Sequence, residues 1–172
     1  MTRTTAATIA DAYRETHERI LALLDRLDDE ELAWRPATTT PSAAFSLWHL
    51  ARWADHLQAT LPTMTPELGR RLGPRPQIWV AEGFAARWGL ESGTLGYEET
   101  GMLLDDESAA RLRFPNRAEL LDYARRAFAA AEAAVALVDE AQFGAFEQPA
   151  ATDEVGAALQ AGPDGRRYQL QN

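Results

Sequence analysis

The chain has 172 residues, 46% of them hydrophobic and none of them cysteine, and carries a formal net charge of -9 at pH 7. That length and hydrophobic fraction fit one folded domain over residues 1–172 and exclude wholesale disorder, disulfides and thiolate metal sites. The acidity disfavours phosphate backbones, and Arg70-Arg71, Arg125-Arg126 and Arg166-Arg167 are isolated pairs, so no nucleic-acid partner is expected.

No stretch approaches the roughly 18 uncharged apolar residues of a membrane helix, and the N-terminus lacks a secretory apolar core. No membrane association is expected, and the cytoplasm is the default location.

In chain order, Ile9, Tyr13, His17, Ile20, Leu24 and Leu27 recur at steps of three and four, which predicts a first amphipathic helix. Asp28-Asp29-Glu30-Glu31 breaks that pattern, and an extended connector follows through Leu32, Trp34 and Pro36. Thr40 as cap and Pro41 as first helical residue predict the start of a second helix, with Pro62 and Pro66 ending it. Phe45, Leu47, Trp48, Leu50, Trp53, Leu57 and Leu61 make it apolar on most sides, as expected in the middle of a bundle.

Residues 62–76 read as a loop, and Ile78, Ala81, Phe84, Ala85 and Trp88 as a short amphipathic helix. The glycine-rich stretch from Glu91 to Gly101 reads as irregular, either a functional loop or a covering flap. Asn116 and Glu119 have capping-box spacing and open a third helix to about Val138, with Leu120, Ala124, Ala127, Ala131, Ala134 and Val138 inward. Beyond Gly144, residues 152–160 supply about two and a half turns at 3.6 residues per turn, too short for a full bundle groove.

Three histidines, His17, His49 and His56, are the imidazoles of the chain. His49 lies on the buried second helix, where a neutral ring is either a metal ligand or a core histidine bonded to a neighbour. His17 is on the inward stripe of the first helix and is expected to face His49 across the bundle, as the second candidate ligand. His56 follows His49 by seven residues, about 10.5 Å along the axis, too far to share an ion. Asp55 points about 120° away from His49 and reads as a surface or loop-facing charge. Asp28 to Glu31, Glu98-Glu99 and Asp105 to Glu107 read as solvated loop charges, while Glu82 and Glu91 lie where a cleft could receive them. The five tryptophans read as core, and neither a Gly-x-Ser-x-Gly elbow nor a Walker-type glycine loop is present. No catalytic residue is assigned.

The run from His17 to Pro36 resembles the first helix and connector of DinB-like proteins. Ser46-Leu-Trp-His-Leu-Ala-Arg-Trp-Ala-Asp55 resembles their second-helix signature, and residues 78–90 resemble an insertion found in one branch of the family. The resemblance covers about residues 8–140, with residues 141–172 atypical. It implies an all-α four-helix bundle, often a homodimer, here with a short insertion helix near 77–90 and an incomplete last helix. It also implies a divalent metal (zinc, nickel or iron) held by three histidines, one of which matches His49. The other two come from the family's last helix, and this chain has no histidine after His56. The C-terminus therefore reads as truncated or frame-shifted relative to the family. Family members of known activity include thiol-dependent transferases and isomerases that use small thiols such as bacillithiol or mycothiol. Two readings follow: a metal-dependent enzyme of the thiol-transferase type with an incomplete metal site, or a non-catalytic, degenerate bundle acting as an interaction module or a truncated gene product.

Overall fold

Three long helices organise the described residues. The structure, a computed structural model, describes residues 4–143. Helix α1 (Thr5–Leu24) starts where the Thr4 hydroxyl accepts the Ala7 N–H at 3.2 Å. Helix α2 (Asp29–Ala33) is the acidic run expected to break the first helix. Asp28 and Glu31 form a reciprocal capping box there, and three carboxylates in the first turn suit the positive end of the helix dipole.

Helix α3 (Ala43–Met64) begins two residues later than Pro41, because Ser42 is the cap and accepts the Phe45 N–H at 3.2 Å. It also runs through Pro62 instead of ending there. The expected loop after it contains helix α4 (Pro66–Leu72), capped by Thr65, with Pro66 at the first turn and Arg70 and Arg71 in the last.

The insertion is split into α5 (Ile78–Ala81) and α6 (Phe84–Arg87), because Gly83 adopts a left-handed conformation at φ 63°. Helix α7 (Asp106–Arg111) follows, with Asp105 as its cap, so that residue is a structural acceptor and not merely a solvated charge. Helix α8 (Arg117–Val135) opens at the expected Asn116 and Glu119 pair, and α9 is the short turn Glu140–Phe143. No strand is present among the described residues, only an isolated antiparallel bridge between Tyr97 and Met102.

Helix α3 packs chiefly on α8. The contacts Trp48 with Phe114, Asp55 with Tyr123 and the cluster of Leu61 with Ala134 show that the two helices run in the same direction. Helix α1 runs opposite, with Asp25 at the start of α8, His17 beside Glu132, and the Ala6 N–H on Glu140. Ala124, Ala127, Ala131 and Ala134 are fully buried, and their small side chains allow a close approach of α3. Trp48 and Trp79 are core residues as expected, whereas Trp34 is 65% exposed, displaced where the chain leaves α2 in extended conformation. The expected helix at residues 152–160, and the incompleteness of the last helix, lie outside the described residues. Among the described residues no helix is long and apolar enough to cross a membrane.

Candidate functional site

Helix α3 carries a polar line through its apolar surface: Arg52, Asp55 and Gln58, three residues apart and all buried. Asp55 is therefore not a surface or loop-facing charge. Its direction away from His49 leads inward, because α3 is covered on that side too. The carboxylate accepts the Ile78 and Trp79 N–H groups, both at 2.8 Å, and so caps α5 from outside that helix. Gln58 Nε2 at 3.1 Å, the Tyr123 hydroxyl at 3.2 Å and Arg52 Nη1 at 3.2 Å complete its shell. Burial pushes the Tyr123 phenol strongly upward, so it stays a donor to Asp55.

Arg52 is fully buried and finds acceptors for all three of its nitrogens. Nε donates to the Glu99 carbonyl at 2.9 Å, Nη2 to the Glu98 carbonyl at 2.8 Å and to Gln77 Oε1 at 2.7 Å, and Nη1 to Asp55 and the Tyr123 oxygen. Its guanidinium also lies 5.0 Å from the Trp79 ring centre. A charge this deep is tolerable only with its counter-ion and its hydrogen bonds in place.

The two carbonyls it grips belong to a tight turn. Glu98 and Glu99 have φ of 50° and 53°, and the Thr100 N–H bonds the Tyr97 carbonyl at 2.9 Å, the pattern of a type I′ turn. Two non-glycine residues at positive φ are unfavourable alone, so the turn depends on what holds it. Besides Arg52, Trp79 Nε1 donates to the Glu99 carboxylate at 2.6 Å, with the Gly93 N–H at 3.0 Å and the Ser92 hydroxyl on its other oxygen. Desolvation is the largest influence on Glu99 and raises its pKa. The bonds from Ser92, Trp79 and Gly93 and the charge of Arg52 outweigh it, so the carboxylate ends below its ordinary value. Glu99 is thus an anchor, not the solvated charge expected of it, and the glycine-rich stretch is a hairpin-like flap fixed onto α3.

This anchored flap positions His49. The ring is half-buried, stacked on Phe45 at 5.8 Å and edge-on to Trp53 at 6.4 Å, and its Nδ1 lies 2.6 Å from the Thr100 carbonyl oxygen. A carbonyl only accepts, so Nδ1 carries a proton, and in the neutral ring the lone pair is on Nε2. No other hydrogen-bond partner engages the ring among the described residues.

His17 occupies a different place. It is buried on α1, stacked on Phe128 at 3.9 Å with Tyr13 edge-on, and its Nδ1 is 2.7 Å from Glu132 Oε1. Desolvation, the largest influence, lowers its pKa against the opposing pull of Glu132. Asp55 is level with Tyr123, His49 lies toward the start of α3, and His17 is level with Phe128 and Glu132 toward the end of α8. At 1.5 Å per residue the two imidazoles stand on the order of 15–20 Å apart along the bundle. His17 faces α8, not His49, and the two do not share an ion within one copy of the chain.

His56 is edge-on to Trp53, which separates it from His49, and approaches Gln77 and Thr60 at 3.4 Å each. Glu82 pairs with Arg126 and Arg87 at the surface, and Glu91 is exposed. Among the described residues no set of three His, Cys, Asp or Glu side chains is placed to hold a metal ion. His49 has the outer hydrogen bond of a ligand, as His17 has through Glu132, and nothing described completes a coordination shell around either ring.

Arg52 and the structural role of Asp55 are absent from the sequence reading. Their signal is the step of three from Arg52 through Asp55 to Gln58 on a helix otherwise apolar nearly all round, which requires a buried polar network.

The chain belongs to the DinB superfamily, whose family model matches residues 12–162. The match takes in the resemblance of the first two helices and extends past residue 140. A search of curated proteins finds no match.

Proposed function

We propose that His49 is a metal ligand and that this DinB-superfamily protein is a divalent-metal-dependent enzyme of the thiol-transferase type. The observation that carries the reading is the bond from His49 Nδ1 to the Thr100 carbonyl. It fixes the tautomer and leaves Nε2 bare, the arrangement typical of histidines that bind metals. Zinc, nickel or iron(II) would suit an imidazole donor, and a low-molecular-weight thiol is the co-substrate class. The remaining donors would be a carboxylate or groups of a second copy in a homodimer. One imidazole leaves an ion mostly to water, so no reaction step is assigned to the ion.

The second reading is a non-catalytic bundle acting as an interaction module. The lack of a three-donor set among the described residues favours it. Titration of the metal-free protein with zinc and nickel separates the two. The metal reading expects binding that His49→Ala weakens at least tenfold and His56→Ala leaves in place. Equal, poor binding by wild type and His49→Ala would overturn it and leave the non-catalytic bundle.

A further inference from the structure

Away from His49, a pocket of about 510 Å³ opens between α2, the start of α3, residues 110–116 and the start of α8. Leu32, Ala44, Leu112, Phe114 and Leu120 give it an apolar wall, and Arg35 and Arg113 stand at its polar side. Both arginines send Nη1 to the same oxygen, the Ala110 carbonyl, at 2.6 Å from Arg35 and 3.1 Å from Arg113. Arg35 Nη1 also reaches the Thr38 carbonyl at 3.1 Å, and Arg113 Nη1 the carbonyls of Arg111 and Leu112 at 3.1 and 3.2 Å.

Two like charges thus converge on one neutral acceptor. Neither has a carboxylate partner among the described residues, and the Nε and Nη2 groups of both are without acceptors there. The chain is rich in acid, and most of its other described arginines find carboxylates, as Arg14, Arg71, Arg111 and Arg126 do, with Arg26 and Arg75 the exceptions. Asp29 is the one acidic residue lining the pocket, and its Oδ1 accepts the Arg117 N–H at 2.5 Å. The pocket therefore keeps a positive excess beside an apolar wall, in a protein that is otherwise strongly negative. An anion between the guanidiniums would relieve their repulsion and take up their unused planar donors, the bidentate geometry that suits a carboxylate. The volume is that of a small-molecule site.

We propose that this pocket binds a small carboxylic acid bearing an apolar group, its carboxylate between Arg35 and Arg113 and its apolar part against Leu112, Phe114 and Leu120. This inference does not depend on a metal at His49.

Benzoate is the probe, titrated into the full chain by calorimetry or by two-dimensional NMR, with benzyl alcohol as neutral isostere and inorganic phosphate as anion without an apolar part. The expected result is saturable benzoate binding at least tenfold tighter than either control, with shifts at Ala110, Leu112 and Phe114. Arg113→Gln changes an exposed side chain whose acceptors are all within three residues, so the fold is retained, and it weakens benzoate at least fivefold. Arg35→Met does the same where its melting curve stays cooperative. Benzoate binding no tighter than benzyl alcohol overturns the proposal, as does undiminished binding by Arg113→Gln. Phosphate binding as tightly as benzoate overturns the assigned ligand class.

Discussion

His49 Nδ1 lies 2.6 Å from the carbonyl oxygen of Thr100, a residue 51 positions further along the chain. The bond joins the middle of the bundle to its flap, and it decides which nitrogen of the ring is free. Thr100 is held there by its neighbours, since Arg52 grips the two preceding carbonyls and Asp55 holds Arg52. The orientation of one imidazole therefore depends on a charge network one to two turns away on the same helix.

Gly101 is where flap and helix come closest. It has φ 87°, and a Cβ there would lie 2.7 Å from Trp48 Cζ3, 3.0 Å from Phe45 Cζ and 3.2 Å from His49 Nδ1. Gly101→Ala combines positive-φ strain of about 1–2 kcal/mol with a clash against fully buried Trp48. At roughly 2–4 °C per kcal/mol for a chain of this size, a melting temperature lower by several degrees is expected. A thermal melt checks it, and hydrogen exchange at residues 95–102 should rise in the same variant.

Removing Arg52 leaves Asp55 buried without its cation and strips two strained carbonyls of their donors. Arg52→Ala should cost about 3–5 kcal/mol, as for other broken buried pairs. Arg52→Lys should recover little, because an ammonium cannot present the planar fork that serves Asp55, Gln77 and both carbonyls. Urea unfolding of the three proteins measures this, and near-wild-type stability of Arg52→Lys would count against the geometry.

Burial lowers the pKa of His17 and of His56 from the ordinary 6.5, the largest influence in each case being desolvation. Glu132 opposes the shift at His17. Glu98 and Asp55 oppose it at His56, where Arg52 adds to it. Below 6.5 the unfolded chain takes up protons that the folded chain refuses, so stability falls as pH falls through the window beneath 6.5. The melting temperature should drop between pH 7 and about pH 5. His17→Gln cannot titrate yet can still donate to Glu132, and it should show a shallower drop. An unchanged slope in that variant would remove His17 from the account.

The bundle helices were legible because their cues are local. Asn116 with Glu119 marked the start of α8, and the step of Ala124, Ala127, Ala131 and Ala134 marked its buried face. Helix α4 was equally readable from Thr65, Pro66 and the late arginines, but two prolines nearby suggested termination. The tight turn was not legible, because Glu98-Glu99 carries none of the glycine or asparagine that such a turn favours. Its conformation is imposed by Arg52 and Trp79 from other segments. The facing of His49 and His17 failed for a related reason. Periodicity reports which side of a helix is buried, not which neighbour covers it, and α8 covers His17.

Nitrogen-15 NMR of the histidine rings tests the central relationship most directly, because it reads the proton on each ring nitrogen without any metal or substrate. At about pH 8, where a neutral ring is the rule, His49 should show a protonated Nδ1 and a bare Nε2, a pattern lost in Gly101→Ala. A proton found on Nε2 of His49 in the wild-type protein would contradict the Thr100 bond and, with it, the ligand role proposed for this ring.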